Sequence, residues 1–457
     1  MLSSVFEQFV KESPISVMAQ VLMSRIFAPE RMDSLFTKYA TVQYQQDLLF
    51  SSQVDLMSLV VCGIQKSVHA AYKARAVNLS VSTTALYNKL CGIELGVSQA
   101  LLRETASDLI RLVKVLGGEQ PSLLPGYRLK IVDGTCLAST DHRLNAIRNF
   151  AACALPGKAI VVLEPASKLA TDIFLIEDGH AQERSKFNAI LETVKPQDLW
   201  CGDRNFCTLK FLFTITEKTA FFVIRQHGAL GYQELEELKH LGSTETGELF
   251  EQKVEIDYEG KSLTLRRVVL KLFVPTRDKE WEIAIFSNLP DDVPAAKIAE
   301  IYRNRWSLES LFQTVTENFN GEIQTLAYPK AALFSLSMAL VAYNILATLR
   351  GILGSVHGVG KIAAGLSDFY LVDEIQGTYR GMMIAIPHQE WEIFKTFSLK
   401  QIAQLLQQWA TGVNLKRFLK ATRGAKKPRA PLIVDSKHRH VSTARLLDNN
   451  NKKKQSG

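Results

Sequence analysis

The chain has 457 residues and a mass of 51.1 kDa, with 54 Lys+Arg against 46 Asp+Glu, a formal net charge of +8 and a pI near 9.0. With 47% hydrophobic and 22% charged residues it has the composition of a folded protein, which excludes wholesale disorder and collagen-like or low-complexity classes. A length beyond what one core fills, about 250–300 residues, predicts about three domains.

The opening MLSSVFEQFVKES carries charges through what would be an apolar signal core, so it does not read as a secretory signal. Residues 1–118 show apolar positions at helical spacing, as in Leu101, Leu102, Ala106, Leu109, Leu112 and Val113, and are expected to form an all-helical domain. Within it, Ser80 to Leu90 has a Ser/Thr cap and polar residues suited to the second helix of a helix-turn-helix, or equally to an ordinary helix pair. Six cysteines (Cys62, Cys91, Cys136, Cys153, Cys201 and Cys207) form no Cys-x-x-Cys pair, which fits a reduced, intracellular protein.

Gly117-Gly118 with Pro121 and Pro125 marks a boundary. Strand-sized, β-branched runs follow at 127–133, 159–164 and 172–177, then a helical pattern over 181–194, a strand at 198–203, a helix over 208–217 and a strand at 221–225. That order predicts a mixed sheet flanked by helices. Alternating stretches at 251–258, 262–272 and 281–288 read as a separate antiparallel β insertion, about 227–290. From Pro294 the chain turns helical again. The uncharged run Ala331–Leu349 is long enough to span a membrane, but its Ser335, Ser337, Asn344 and Thr348 read better as a helix buried in a core. Gly358-Val-Gly360-Lys361 fails the P-loop pattern and, with no strand feeding into it, reads as a helix-to-helix turn.

The basicity is concentrated at the end. Positions 414–457 hold 13 Lys/Arg against Asp435 and Asp448, which leaves 41 basic and 44 acidic residues for positions 1–413. Such a tail is either a solvated end or an arm for phosphates.

Three carboxylates stand out. Asp133, in Val132-Asp133-Gly134-Thr135, and Asp203, in Gly202-Asp203-Arg204, each end a predicted strand before a break. Strand C-terminal ends are where α/β sheets place ligands. Glu309 lies in a helical segment whose apolar stripe is Ile301, Leu308, Phe312, Val315 and Phe319, about 80° from the stripe's centre and therefore at its rim. Taken singly, an Asp-Gly is turn chemistry and a rim glutamate is ordinary.

Together, VDGT, GDRNF and YRNRWSLE resemble the DDE transposases of bacterial insertion sequences, of the insertion-sequence-four type. That group is marked by Tyr-x2-Arg-x3-Glu-x6-Lys, and Tyr302, Arg305 and Glu309 stand at the required spacing; the lysine position holds Thr316. The resemblance implies an RNase-H-like catalytic domain with a β insertion before the last acid. It implies catalysis and metal binding by Asp133, Asp203 and Glu309 with two Mg²⁺ ions, for which Mn²⁺ can substitute. It implies DNA contacts by Tyr302, Arg305, Trp306 and Arg204.

The expected organisation is α/β and multidomain. Residues 1–118 would be a helical DNA-end-binding domain, 119–350 the catalytic domain, 351–424 a helical region whose stripe Ile402, Leu405, Leu406 and Trp409 serves a dimer contact or the subunit's own core, and 425–457 a basic, disordered tail. The implied partners are double-stranded DNA, as transposon ends and target, and a second copy of the chain in a synaptic homodimer. No membrane is involved, and the implied location is the bacterial cytoplasm, at the nucleoid. An RNase-H-like nuclease without joining activity and a DNA-binding regulator of transposition are the alternatives, the second suggested by Thr316.

Overall fold

The computed structural model describes residues 2–43, 47–75, 79–141, 143–149, 154–276 and 279–421. The basic tail expected at 425–457 lies outside the described residues. Residues 1–419 cluster as one compact unit.

Among the described residues, seven α-helices precede the sheet: α1 (Ser4–Glu12), α2 (Pro14–Ile26), α3 (Pro29–Tyr39), α4 (Phe50–Val61), α5 (Val68–Arg75), α6 (Thr83–Gly92) and α7 (Leu95–Leu116). Their caps follow from sequence. Ser82 opens α6 by accepting from the Ala85 N–H at 3.2 Å, as its position predicts. Gly117 ends α7 in the left-handed conformation at φ 64°, and a Cβ on Gly118 would stand 2.7 Å from the Gly351 carbonyl, so only glycine allows that close approach.

The sheet begins with β1 (Arg128–Cys136), β2 (Lys158–Glu164) and β3 (Leu169–Ile176), and continues through α8 (Phe187–Thr193), β4 (Asp198–Gly202), α9 (Leu209–Glu217) and β5 (Phe221–Arg225). Then come β6 (Gln233–Glu234), β7 (Lys239–Ser243), β8 (Gly247–Tyr258), β9 (Lys261–Leu272) and β10 (Glu282–Ser287). The order across it is β3-β2-β1-β4-β5-β10-β9-β8-β6, with β7 on β8. β1, β4 and β5 are mutually parallel and the other pairs antiparallel. This is the mixed α/β sheet expected, and it is consistent with the RNase-H-like arrangement.

The antiparallel block is present, but it does not stand apart. β10 pairs with β5 through Ile285–Arg225 and Ser287–Val223, so the insertion prolongs the mixed sheet edge to edge. An unpaired β5 would leave a row of backbone groups open, and β10 closes it.

Helices cover both faces. Ile131, Val161, Leu163, Leu199, Cys201 and Val223 join the larger core with α7 and α12 (Pro329–His357), while Val132, Ile160, Val162, Trp200, Phe222 and Ile224 face α8 and α9. Both faces are apolar, which is why these strands read as continuous hydrophobic runs.

α12 contains the long uncharged run, and the run's most apolar stretch is 94% buried inside the protein. Asn344 is fully buried: its Oδ1 accepts from the Ala170 N–H at 2.8 Å and its Nδ2 donates to the Ala170 carbonyl at 2.8 Å. A register shift between β2 and β3 at Val162/Leu163 accompanies this contact at the start of β3. Of the polar residues that argued against a membrane span, Asn344 therefore docks the helix on the sheet, while Ser337 and Thr348 turn their hydroxyls to carbonyls of the helix itself.

After α10 (Ala295–Arg303), α11 (Trp306–Glu317) and α12, the chain forms α13 (Val359–Gly365), α14 (Asp368–Ala385), α15 (His388–Glu392) and α16 (Leu399–Thr411). Gly358, at φ 96°, is the helix-to-helix turn expected between α12 and α13. The α16 stripe is used inside the subunit: Ile402 and Leu406 are fully buried, and Trp409 packs edge-on against Phe394 at 5.8 Å.

Replacing Asn344 with leucine would strand two buried backbone groups of Ala170, each costing about 1–3 kcal/mol. Urea unfolding of the Asn344→Leu protein should show a loss of about 2–4 kcal/mol. An unchanged midpoint would mean that this clamp contributes nothing.

Candidate active site

Register brings the first two acids together. β1 and β4 pair in parallel up to Val132–Gly202, so Asp133 and Asp203 are the next residues on adjacent strands. One correction concerns Asp133. It does not end its strand: β1 runs on to Cys136, because Gly134, Thr135 and Cys136 keep pairing with Ile160, Ala159 and Lys158 of β2. What ends at Asp133 is the β1–β4 pairing. Asp203 leaves β4 and caps a short 3₁₀ turn, Arg204–Phe206, accepting from the Asn205 N–H at 3.0 Å.

Strand alternation places Asp133 on the same face as Ile131, which is the face covered by α10 and α11. The segment expected to be one helix through Tyr302 and Glu309 is two. α10 ends at Arg303 and α11 starts at Trp306, with three-residue spacing in the bonds Arg305 N–H to Tyr302 C=O (3.0 Å) and Leu308 N–H to Arg305 C=O (3.0 Å). The Asn304 side chain contributes to the break by donating to the Glu300 carbonyl at 3.0 Å, in competition with the backbone ladder. The apolar stripe survives, with Ile301, Leu308 and Val315 buried, and is joined by Leu311.

The break aims Arg305 at the sheet. Its guanidinium pairs with Asp133 and, through Nη2 at 3.0 Å, with Glu309. Asp133, Asp203 and Glu309 are thus gathered at one end of β1 and β4, with Glu309 the more exposed of the two acids Arg305 touches.

The other sequence candidates fall around this centre. Tyr302 is buried and its ring centroid lies 6.0 Å from the Arg305 Cζ. Trp306, at the start of α11, is 65% exposed. Arg204 is bound to Glu280 at 2.8 Å, and Arg225 shares that carboxylate. Thr316 is exposed and turns its hydroxyl back to the Phe312 carbonyl at 2.8 Å, so no cation occupies the signature lysine position.

A further carboxylate, which no spacing in the sequence signals, is Glu183, in a 3₁₀ turn (Glu183–Lys186) ahead of α8. It lies against Gly134 on the opposite face of the sheet from α11. The sign it left in the sequence is the glycine after Asp133, which reads as a turn and instead makes room inside a strand.

Burial raises the pKa of Asp133 to about 6, helped by the charges of Asp203 and Glu183 and opposed by Arg305 and the Gly134 N–H. Asp203 and Glu183 are also raised, first by burial; the charge of Asp203 adds to the shift at Glu183, while Lys158 and Asn205 oppose it. Burial works against the charge on Arg305, but Asp133, Tyr302 and Glu309 hold it strongly protonated. Asp198 at the far end of β4 is the contrast. It is equally an acid in the sheet, fully buried, yet matched by Arg128 at 2.9 Å, Lys130 at 3.5 Å and the Lys195 N–H at 2.8 Å. That end is matched by direct ion pairs; among the described residues Asp203 has none, and Arg305, Arg204 and Arg225 act on it only at longer range.

Residues 124–345 match the family model of the transposase DDE domain. The match supports a DDE transposase. It spans the strands, the β insertion, α10, α11 and the first half of α12, and so includes Asp133, Asp203, Glu309 and Arg305. Among solved structures the chain is similar to a piggyBac transposase synaptic complex with hairpin DNA, at 8% identity and a TM-score of 0.39, covering 92% of this chain and 88% of that one. No curated protein matches the chain.

DDE transposases generally use divalent metal ions. Among the described residues no group of three His, Cys, Asp or Glu side chains could, as they stand, hold a metal ion. The donor chemistry nonetheless fits: the acids are hard oxygen donors, short of compensating charge, and the guanidinium of Arg305 already lies as a cation between Asp133 and Glu309.

A carboxyl proton on Asp133 should therefore titrate near pH 6 in the metal-free protein, and higher still in Arg305→Ala, where the opposing charge is gone. Because the folded value is raised, this group favours the metal-free fold below its unfolded value near 3.8, and that contribution is lost as pH rises through about 6. ¹³C-carboxyl NMR on protein in EDTA checks this; a midpoint below 4 would contradict it.

Proposed function

We propose that this protein is a transposase that binds the ends of its own insertion sequence and catalyses DNA cleavage and strand transfer. The observation that carries the reading is Arg305 bridging Asp133 and Glu309, with Asp203 beside Asp133 by register, inside the region that matches the transposase DDE domain.

Asp133, Asp203 and Glu309 would hold two Mg²⁺ ions, with Mn²⁺ able to replace them. When bound, the metal supplies activation of water or a 3′ hydroxyl as nucleophile and stabilisation of the leaving alkoxide. The chain's own residues do the positioning. Arg305 partly offsets Asp133 and Glu309 without DNA, and a scissile phosphate offers its guanidinium an equivalent bidentate partner. Tyr302 backs Arg305 from the buried side. The exposed Trp306, next to Arg305, is placed to stack on an unpaired base at the transposon end. Arg204 would reach a phosphate by exchanging Glu280 for it.

The helical region with α6 would contact the transposon end, and the basic tail would add sequence-independent, salt-sensitive affinity. A synapse would join two copies of the chain, by a surface other than the buried α16 stripe.

Asp133→Asn, Asp203→Asn and Glu309→Gln should each reduce end cleavage and joining into supercoiled plasmid, with Mg²⁺, to about one-thousandth of wild type or less. Gel shifts of end DNA should persist. Nicks without integrants from the wild-type protein would indicate a nuclease, and bound but intact DNA would indicate a regulator.

A further inference from the structure

Glu183 is placed at the sheet end by its own neighbours and by the packing of the turn that carries it. Gly134, one residue beyond Asp133 in β1, lies directly beneath it, and a Cβ built on Gly134 would fall inside the Glu183 carboxylate. The Asn205 side chain, two residues beyond Asp203, lies near enough to favour the charged form of this carboxylate. Phe187 stacks on Phe206 with ring centroids 5.2 Å apart, tying the turn that carries Glu183 to the turn that follows Asp203. The carboxylate therefore stands between the residues next to both strand acids, on the face of the sheet opposite Arg305. A glutamate there with no task would be a liability: it adds a third negative charge beside Asp133 and Asp203, and no Lys or Arg pairs with it directly among the described residues.

We propose that Glu183 is a fourth carboxylate of the metal-holding site, binding the divalent cation directly or through a metal-bound water from the face opposite Glu309. This rests on reading the site as a divalent-metal centre. Asp133 and Asp203 would then be flanked from both faces of the sheet, by Glu309 on α11 and by Glu183 ahead of α8. A side chain at Gly134 would displace the Glu183 carboxylate from this position.

The test is Mn²⁺ binding to the full chain without DNA, followed by EPR of free Mn²⁺, for wild type, Glu183→Gln, Gly134→Ala and Asp133→Asn. Glutamine keeps the size of Glu183 and an oxygen for the Asn205 amide, and melting in EDTA verifies that each variant is folded. Glu183→Gln should weaken Mn²⁺ binding about 10-fold or more, and Gly134→Ala should do the same with Glu183 intact. Wild-type affinity in Glu183→Gln, with binding lost in Asp133→Asn, would overturn the role of Glu183 and leave the metal site standing. Wild-type affinity in Asp133→Asn would overturn both.

Discussion

Asp133 and Asp203 sit side by side where the β1–β4 pairing ends, and the only cation in direct contact with Asp133 among the described residues is Arg305, which is itself shared with Glu309. Two like charges on neighbouring parallel strands, partly withdrawn from water, repel each other and resist ionisation. The surrounding features answer that imbalance. The α10–α11 break turns a guanidinium toward the sheet, and the Gly134 and Asn205 N–H groups each donate to the adjacent aspartate. What remains uncompensated is a place for positive charge, and a phosphodiester-cleaving site needs one where a phosphate is to be received.

The apparatus behind the acids is rigid. Their strands are buried on both faces, and α12 is fixed to β3 by the Asn344–Ala170 pair. Through β10 the antiparallel strands extend the same hydrogen-bonded sheet, so the block between the second and third acids shares a frame with them. Carboxylates on such a frame lose little entropy when they take up a cation, which is the physical sense of a pre-organised site.

Much of this was legible in the sequence where local chemistry decides the outcome. The strand runs through Ile131-Val132 and Trp200-Cys201, the cap at Ser82 and the polar residues inside the long apolar run each carry their own signal. The misreadings have tertiary causes. Asp133-Gly134 looks like a turn because glycine is common in turns; here the glycine stays in a strand and gives space to Glu183. Continuous apolar periodicity from Ile301 to Phe319 hid the break at Asn304-Arg305, because the stripe keeps its phase across it. The joining of β10 to β5 was illegible because strand pairing across about 60 residues leaves no local trace. Glu183 was invisible for the same reason: its meaning comes only from what lies across the sheet.

Arg305 links the DNA-free arrangement to the chemistry. Held between Asp133 and Glu309 it offsets part of their charge, and a phosphate can take it from them on equal geometric terms. Iron-directed cleavage of the polypeptide tests most directly whether these acids form a metal site. With Fe²⁺, ascorbate and peroxide, cuts should cluster near residues 133, 203 and 309, be suppressed by excess Mg²⁺ and vanish in Asp133→Asn; scattered cuts insensitive to Mg²⁺ would show that no such site exists.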